Sequence, residues 1–172
     1  MHHSLRPTKF SDIIGQSNVV QRLNILTKSC KASEQVIPHI LIDGPPGLGK
    51  TTIAGAIASE MDVNLYTVNA ANIRSPKNII PYLMGIMPRS VLFIDEIHRL
   101  PKLVEEFLYP VMEDYKLDIL LENKPESIDL PVFTIIGATT SGGSLSQPFY
   151  DRFVIKEHLS FYTPDELAKL AG

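Results

Sequence analysis

Hydrophobic positions along the chain follow two different spacings. Between residue 15 and about residue 31, apolar side chains recur at helical spacing, at Val19, Leu23, Leu26 and Cys30. Short apolar runs without that period predict buried strands at 39–43, 65–68, 91–95, 133–138 and 154–159. Helices are predicted between the strands at 50–61, from Ser75-Pro76 onward, and at 102–115. Five strands separated by helices predict an α/β three-layer sandwich, with a mostly parallel sheet covered on both faces.

Two further elements interrupt or follow this alternation. Residues 117–121 and 127–130 flank Asn123-Lys124-Pro125-Glu126, a pattern that predicts an inserted β-hairpin over 117–130 with its turn at residues 123–126. Near the end, Thr163 and Glu166 have the spacing of a capping box, which predicts that another helix begins there and continues to 172.

Composition narrows the class of protein without naming a function. At 172 residues, 44% apolar and 20% charged, the chain has the size and balance of one globular domain. The net charge of -3 gives no indication of a basic surface that binds nucleic acid. The single cysteine, Cys30, cannot form an intramolecular disulfide, so we expect a cytoplasmic protein. No apolar run approaches the roughly 20 residues that span a bilayer, so no membrane association is expected.

A glycine-rich loop lies between the first predicted strand and the following helix. Gly44-Pro45-Pro46-Gly47-Leu48-Gly49-Lys50-Thr51 fits the phosphate-loop pattern G-x-x-x-x-G-K-[ST]. In such a loop, backbone N–H groups and the helix N-terminus converge on phosphates, the lysine adds positive charge, and the threonine hydroxyl binds Mg²⁺. The loop therefore predicts binding of ATP and Mg²⁺, while a structural glycine-rich turn is the alternative.

Acidic residues follow the clearest predicted strand. Asp95 and Glu96 stand at its carboxyl end, where they would face the bound phosphates. We expect Asp95 to bind Mg²⁺ and Glu96 to orient and polarise the attacking water. A cap between strand and helix is the alternative role of such a pair.

Two later positions are candidates for sensing and stabilising the γ-phosphate. Thr139 and Thr140 end the 133–138 strand, where a hydroxyl would reach the γ-phosphate or the attacking water, although strand-end threonines are often turn residues. Arg152 precedes the last strand and is a candidate arginine finger, which we expect to serve a neighbouring subunit. A surface ion pair is its alternative role. No histidine or cysteine spacing resembles a zinc site, and His98 is expected to pack against the sheet end.

The motifs together resemble the large ATPase domain of the RuvB family, a P-loop NTPase of the AAA+ type that drives Holliday-junction branch migration. The resemblance rests on the phosphate loop with Thr52 and on segments 5–7, 14–16, 92–100, 108–114 and 137–140. Its most specific parts are Ile97-His98-Arg99-Leu100 and Tyr109-Pro110 through Glu113-Asp114.

This resemblance implies roles for individual residues. Thr140 would be the sensor and Arg152 the finger that acts in trans, on the nucleotide of the next subunit. Further nucleotide contacts would come from Leu5 and Arg6 on the adenine side, and from Ile14, Glu113, Asp114, Tyr115 and Tyr162. Segment 1–14 would be the N-terminal nucleotide-contacting part, and the family's hexameric ring would pump duplex DNA through a four-way junction held by RuvA.

The sequence also departs from the family's pattern. Residues 163–172 would only begin the helical lid, so we expect the small lid domain and the winged-helix DNA-binding domain to be absent from this chain. The hairpin, which docks RuvA in the family, is shorter here and lacks a glycine-rich basic tip, and Ser141 and Tyr150 replace usual arginines. Two alternatives therefore stay open: another AAA+ recombination or clamp-loading ATPase, or an ATP-dependent assembly module without motor activity of its own.

Overall fold

A computed structural model describes residues 9–13, 15–140 and 145–160 of the chain. The described helices are α1 (Ser17–Ala32), α2 (Lys50–Met61), α3 (Pro76–Met84), α4 (Lys102–Asp114) and α5 (Gln147–Asp151). The strands are β1 (Ile40–Asp43), β2 (Leu65–Asn69), β3 (Val91–Asp95), β4 (Lys116–Leu121), β5 (Lys124–Asp129), β6 (Thr134–Thr139) and β7 (Ile155–His158). Each predicted helix and strand within these ranges is present, and the ends shift by at most two residues except in the second hairpin strand, which begins three residues earlier than predicted. The predicted helix at 163–172 lies outside the described residues.

Five strands form one sheet in the order β2-β3-β6-β1-β7, and every neighbouring pair is parallel. Side chains alternate between its two faces because successive residues of a strand point to opposite sides. Ile40 and Ile42 pack in the core beneath α1 and α2, whereas Leu41 packs in the core beneath α3 and α4. The predicted three-layer arrangement is therefore confirmed, with an all-parallel central sheet.

Strand β6 lies between β1 and β3, although it follows both in the chain. The carboxyl ends of β1, β3 and β6 consequently meet at one edge of the sheet, which is where ligands bind in open α/β folds. None of the described helices is long and apolar enough to cross a membrane.

The inserted hairpin differs from its prediction at the turn. Strands β4 and β5 pair from Lys116↔Asp129 to Leu121↔Lys124, so the turn contains only Glu122 and Asn123, not residues 123–126. Both turn residues have left-handed backbones, with φ of 51° and 63°, and this conformation matches the twist of a two-residue hairpin. Lys124, Pro125 and Glu126 therefore belong to β5, where the proline is tolerated because this two-stranded ribbon leaves its edges open.

Candidate functional site

The phosphate loop connects β1 to α2 in a conformation that requires glycine at two positions. Gly49 has φ of 98° and immediately precedes α2, so its left-handed backbone turns the chain into the helix. A Cβ on Gly44 would lie 2.7 Å from the backbone oxygen of Leu159, because the loop passes close to the chain that follows β7. The glycines thus shape the loop and place it against the sheet.

Lys50 is the first residue of α2, and its side chain folds back over the loop. Its Nζ donates to the carbonyl oxygens of Gly44 at 2.7 Å and Pro45 at 2.9 Å. Burial lowers the pKa of the Lys50 ammonium, and the nearby carboxylates of Asp95 and Asp43 offset part of that shift. The ammonium group is therefore held inside the loop, near the acid pair.

The acid pair follows β3 through a sharp turn. Glu96 has a left-handed backbone, with φ of 50°, and its N–H donates to Asp95 Oδ1 at 2.9 Å. Such a conformation is uncommon outside glycine, and it is frequent at functional sites. The Glu96 carboxylate forms an exposed ion pair with Arg99, Oε2 to Nη1 at 3.2 Å. Glu96 is thus positioned by its own backbone and by an exchangeable surface contact.

The two threonines at the end of β6 have different surroundings. Thr139 is buried, and its Oγ1 lies 2.8 Å from Nδ1 of His98. Thr140 is exposed and faces the phosphate loop. His98 therefore contacts the sheet end, as predicted, and does so through a specific hydrogen bond that links the segment after the acid pair to β6.

These elements enclose an open cavity of about 400 Å³. Its lining comes from the loop, the start of α2 and the ends of β3 and β6: Pro46, Gly47, Gly49, Lys50, Thr51, Thr52, Asp95, Glu96 and Thr140. Other predicted residues of the loop lie behind this surface, where Gly44 and Leu48 are buried and the Pro45 carbonyl accepts from Lys50. The structure thus brings the predicted loop, acid pair and sensor together.

The cavity also fits a magnesium nucleotide. Within the described part of the chain, no group of three or more His, Cys, Asp or Glu side chains could enclose a metal ion. Mg²⁺ in nucleotide sites is bound by one or two protein groups together with phosphate oxygens and water. The Asp95 carboxylate and the Thr51 hydroxyl, both on the cavity wall, match that requirement.

Arg152 lies at the opposite end of the sheet. It precedes β7, whose first residue, Ile155, donates its N–H to the carbonyl of His39 just before β1. The phosphate loop follows the other end of β1, and four residues of strand span roughly 13 Å. The guanidinium is therefore separated by the length of the strand from the cavity of its own chain.

Residues of α4 hold Arg152 in place. Its Nη2 lies 2.9 Å from Glu113 Oε1, its Nη1 donates to the Pro148 carbonyl at 2.7 Å, and its Cζ lies 3.7 Å from the ring centroid of Tyr109. Its Nε is buried without a hydrogen-bond partner among the described residues. The arginine is thus ordered, and one of its donors is unused.

Glu113 and Asp114 end α4, Tyr115 follows it, and all three lie at the same end of the sheet as Arg152. The carbonyl of Met112, one residue earlier, accepts a hydrogen bond from His39 at 3.0 Å, and the rings of His39 and Tyr115 are 6.0 Å apart. These residues do not line the cavity of their own chain. Leu5, Arg6, Ile14 and Tyr162, also predicted to bind nucleotide, lie outside the described residues.

Two side chains that support this arrangement were not predicted from the sequence in these roles: Tyr109 beneath Arg152, and His39 beneath the end of α4. His39 Nδ1 accepts from the N–H of Ile135 at 2.9 Å, so its Nε2–H donates to Met112. Both contacts join residues far apart in the chain, and no local pattern signals them.

The sheet order and the convergence of loop, acid pair and threonine define a P-loop NTPase domain of the AAA+ class. Comparison with known proteins specifies the family. Residues 5–159 match the family described as the Holliday junction DNA helicase RuvB P-loop domain, and the chain belongs to that family.

Individual relatives agree with this assignment. The chain is 47% identical over 171 residues to the Holliday junction branch migration complex subunit RuvB of Limosilactobacillus reuteri, covering 97% of this chain and 51% of the relative. It is 45% identical to the subunit of the same name from Rhodopirellula baltica, covering 97% of this chain and 47% of that protein. The chain therefore spans about half the length of the curated relatives it matches.

Solved structures show the same relationship. The Thermotoga maritima RuvB Holliday junction branch migration motor superposes with a TM-score of 0.86 at 41% identity, covering 96% of this chain and 52% of that one. The FIGL-1 AAA domain in complex with ADP superposes with a TM-score of 0.73 at 21% identity, covering 95% and 59%, a likeness of fold alone.

Proposed function

We propose that this chain is the ATP-hydrolysing engine of a branch-migration motor that acts on Holliday junctions in DNA recombination and repair. One observation carries the proposal: the start of α2 and the ends of β3 and β6 bring together one open cavity lined by Lys50, Thr51, Asp95, Glu96 and Thr140. The family assignment supports the DNA substrate, since the relatives are named as subunits of a branch migration complex. Clamp loading or a passive assembly role has no comparable support.

ATP would bind with its phosphates in the loop from Gly44 to Thr51. Backbone N–H groups and the N-terminal end of α2 favour the negative charge there, and Lys50 would exchange its carbonyl partners for phosphate oxygens. Thr51 and Asp95 would hold Mg²⁺, which supplies charge neutralisation between the β- and γ-phosphates.

Hydrolysis would depend on Glu96 and Thr140. The Glu96 carboxylate would accept a hydrogen bond from the attacking water and orient it toward the γ-phosphorus, after releasing its exposed contact with Arg99. The Thr140 hydroxyl, on the same wall of the cavity, would contact the γ-phosphate or that water. Both residues position reactants, and positioning supplies most of the catalysis of phosphoryl transfer.

Arg152 would complete the site of a neighbouring subunit. The strand between it and its own cavity supports action in trans, because the two cannot meet within one chain. Glu113, Asp114 and Tyr115 would face the same neighbouring nucleotide, together with Arg152. ATP turnover would therefore require a homo-oligomeric ring, as expected from the resemblance to hexameric motors.

The proposed partners are four-way junction or duplex DNA and a junction-binding protein similar to RuvA. Leu120 and Leu121 on the hairpin are 70% and 50% exposed, and this apolar surface supports docking of a protein partner there. Cys30 is buried and is the chain's single cysteine, which suits the reducing cytoplasm where such DNA is found.

Replacing Glu96 by Gln tests the catalytic assignment. Glu96→Gln keeps the shape of the side chain and the charge of Lys50, so ATP affinity should stay near that of the wild type. Turnover on four-way junction DNA should fall by about 10²- to 10⁴-fold, because the water loses its acceptor. Gln in place of the exposed Glu106 on α4 is the matched control. Equal turnover by wild type and Glu96→Gln would contradict the assignment.

Mixed assemblies test the trans role of Arg152. Arg152→Ala alone should lose about 10³-fold or more in turnover, the range known for arginine fingers. Adding Glu96→Gln subunits should restore part of it, because some interfaces then pair an intact Glu96 with an intact Arg152. Absence of recovery in assemblies verified to contain both subunits would refute action in trans.

A further inference from the structure

The surroundings of Arg152 assign a function to Tyr109 that goes deeper than the motor activity proposed above and rests on it. Tyr109 and Glu113 are one turn apart on α4, so their side chains lie on the same face of the helix. Both reach the guanidinium, the tyrosine through its ring face and the glutamate through one of its oxygens. The two contacts act on different parts of the arginine.

A guanidinium has a flat face and an edge of N–H donors, and these make different contacts. Aromatic rings stack on the face, whereas carboxylates and phosphates bind the edge. The Tyr109 ring lies 3.7 Å from Cζ of Arg152 and occupies the face. The donors at the edge consequently remain directed away from the ring, where phosphate oxygens could bind them.

The edge contacts of Arg152 are of the kind that a phosphate could replace. Glu113 is 52% exposed, so its ion pair with Nη2 is open to exchange with another anion. Nε is buried and donates to no partner among the described residues, so the guanidinium has an N–H donor that its contacts within the chain do not use. The Tyr109 contact is on the face, so it can persist unchanged when a phosphate replaces Glu113 at the edge.

Tyr109 is itself fixed by the core. Its ring packs 6.2 Å from that of Phe149, and its hydroxyl lies 3.5 Å from Ser146 Oγ, which donates to the buried Glu105 carboxylate. A rigid ring gives a stacked arginine a defined plane and height. We propose that Tyr109 is a positioning residue that orients the Arg152 guanidinium for the γ-phosphate bound by the neighbouring subunit.

Substitutions at Tyr109 separate this role from simple packing. Tyr109→Leu removes the ring face and keeps apolar bulk, whereas Tyr109→Phe keeps the face. In assemblies on four-way junction DNA, Tyr109→Leu should lower kcat by roughly 3- to 30-fold, the size of a cation–π contact, with KM for ATP unchanged. Tyr109→Phe should retain turnover. Tyr82→Leu, which alters a tyrosine that is 38% exposed on α3, is the control and should behave as wild type.

Mixing reveals on which side of the interface the substitution acts. Tyr109→Leu subunits should regain turnover with Glu96→Gln subunits, which supply an intact finger, but not with Arg152→Ala subunits. A merely structural defect would weaken the cavity of the Tyr109→Leu subunit itself, and Glu96→Gln partners could not correct it. Wild-type turnover by Tyr109→Leu, or a loss that Glu96→Gln subunits do not relieve, would overturn the proposal.

A measurement on the single chain needs no assembly. In ¹⁵N NMR spectra, the Nε–H signal of Arg152 should show a ring-current shift in the wild type and in Tyr109→Phe, and lose it in Tyr109→Leu. An unchanged signal in Tyr109→Leu would overturn the stacking role. If Arg152→Ala itself keeps full turnover, the proposed trans finger fails, and the positioning role fails with it; normal turnover by Tyr109→Leu alone refutes only the role of Tyr109.

Discussion

The two ends of the sheet are organised in opposite ways. At the carboxyl end, Lys50, Glu96 and Thr140 border an open cavity; Lys50 donates to two carbonyls, Glu96 forms an exposed ion pair, and Thr140 is exposed. At the amino end, Arg152 is stacked on Tyr109 and paired with Glu113 by contacts within the chain. The carboxyl end therefore presents side chains around an open cavity, whereas the amino end presents an arginine whose guanidinium is already held by its neighbours.

Under the proposed function, this difference would let one chain contribute to two active sites. The phosphate loop lies at the carboxyl end, whereas Arg152 lies at the amino end and, in the proposed function, would act on the nucleotide of a neighbouring subunit. The proposal therefore predicts that binding of nucleotide and stimulation of turnover are separable properties of a subunit. Substitutions at one end should leave the property of the other end intact.

The strongest test of that separation is the loss of Lys50. Lys50→Ala removes a charged donor from the phosphate loop, so ATP affinity should fall on the order of 100-fold, the equivalent of about 3 kcal/mol for a hydrogen bond to a charged group. Arg152→Ala should retain wild-type affinity, and Lys102→Ala, at an exposed position that begins α4, is a neutral control. Direct titration with a fluorescent ATP analogue measures all three. Weakened binding by Arg152→Ala would show that the ends are not independent.

A smaller effect is expected from His39, which belongs to the amino end. It lies beneath the last turn of α4 and is 5% exposed; its Nε2–H satisfies the Met112 carbonyl, one of those that a helix end leaves unpaired. His39→Phe retains an aromatic ring but leaves both this carbonyl and the Ile135 N–H without their hydrogen-bond partner. The free energy of unfolding should fall by about 2 kcal/mol in urea denaturation.

The exposed His158 provides the matched control, and His158→Phe should change the free energy of unfolding by less than about 0.5 kcal/mol. His39→Phe should also leave ATP affinity near the wild-type value at temperatures where the variant is folded. A large loss of affinity would mean that the packing of the amino end controls the cavity.

The carboxyl end was largely predictable from sequence because its residues form local patterns. The phosphate loop is contiguous, and the acid pair directly follows an apolar strand whose bounds were predicted as Val91–Asp95 and confirmed. The parallel sheet then requires the ends of β1, β3 and β6 to converge. Thr140 was one of several plausible strand-end hydroxyls, and the structure distinguishes it from Thr139, which is buried beside His98.

The amino end was not predictable to the same degree because its contacts join distant segments. Arg152 was a candidate by position, but its stacking on Tyr109 depends on how α4 packs against α5. The sequence pattern predicts His39 as the first residue of a strand. Its hydrogen bond to the Met112 carbonyl depends on the position of the end of α4 in the folded chain. The hairpin turn was misplaced for a local reason: Glu122 adopts a left-handed backbone, which its residue type does not indicate.

The smallest expected effect is a pH dependence confined to the amino end. Burial lowers the pKa of the His39 imidazole from its ordinary value of 6.5, and the hydrogen bond to Met112 opposes part of that shift. The unfolded chain therefore binds a proton at a higher pH than the folded one, so stability is fully present above pH 6.5 and declines as pH falls toward the folded pKa. Protonation would also turn the Nδ1 acceptor into a donor facing the Ile135 N–H. Urea midpoints measured between about pH 7.5 and pH 5 should fall less steeply for His39→Phe than for the wild type; equal slopes would show that His39 does not titrate on unfolding.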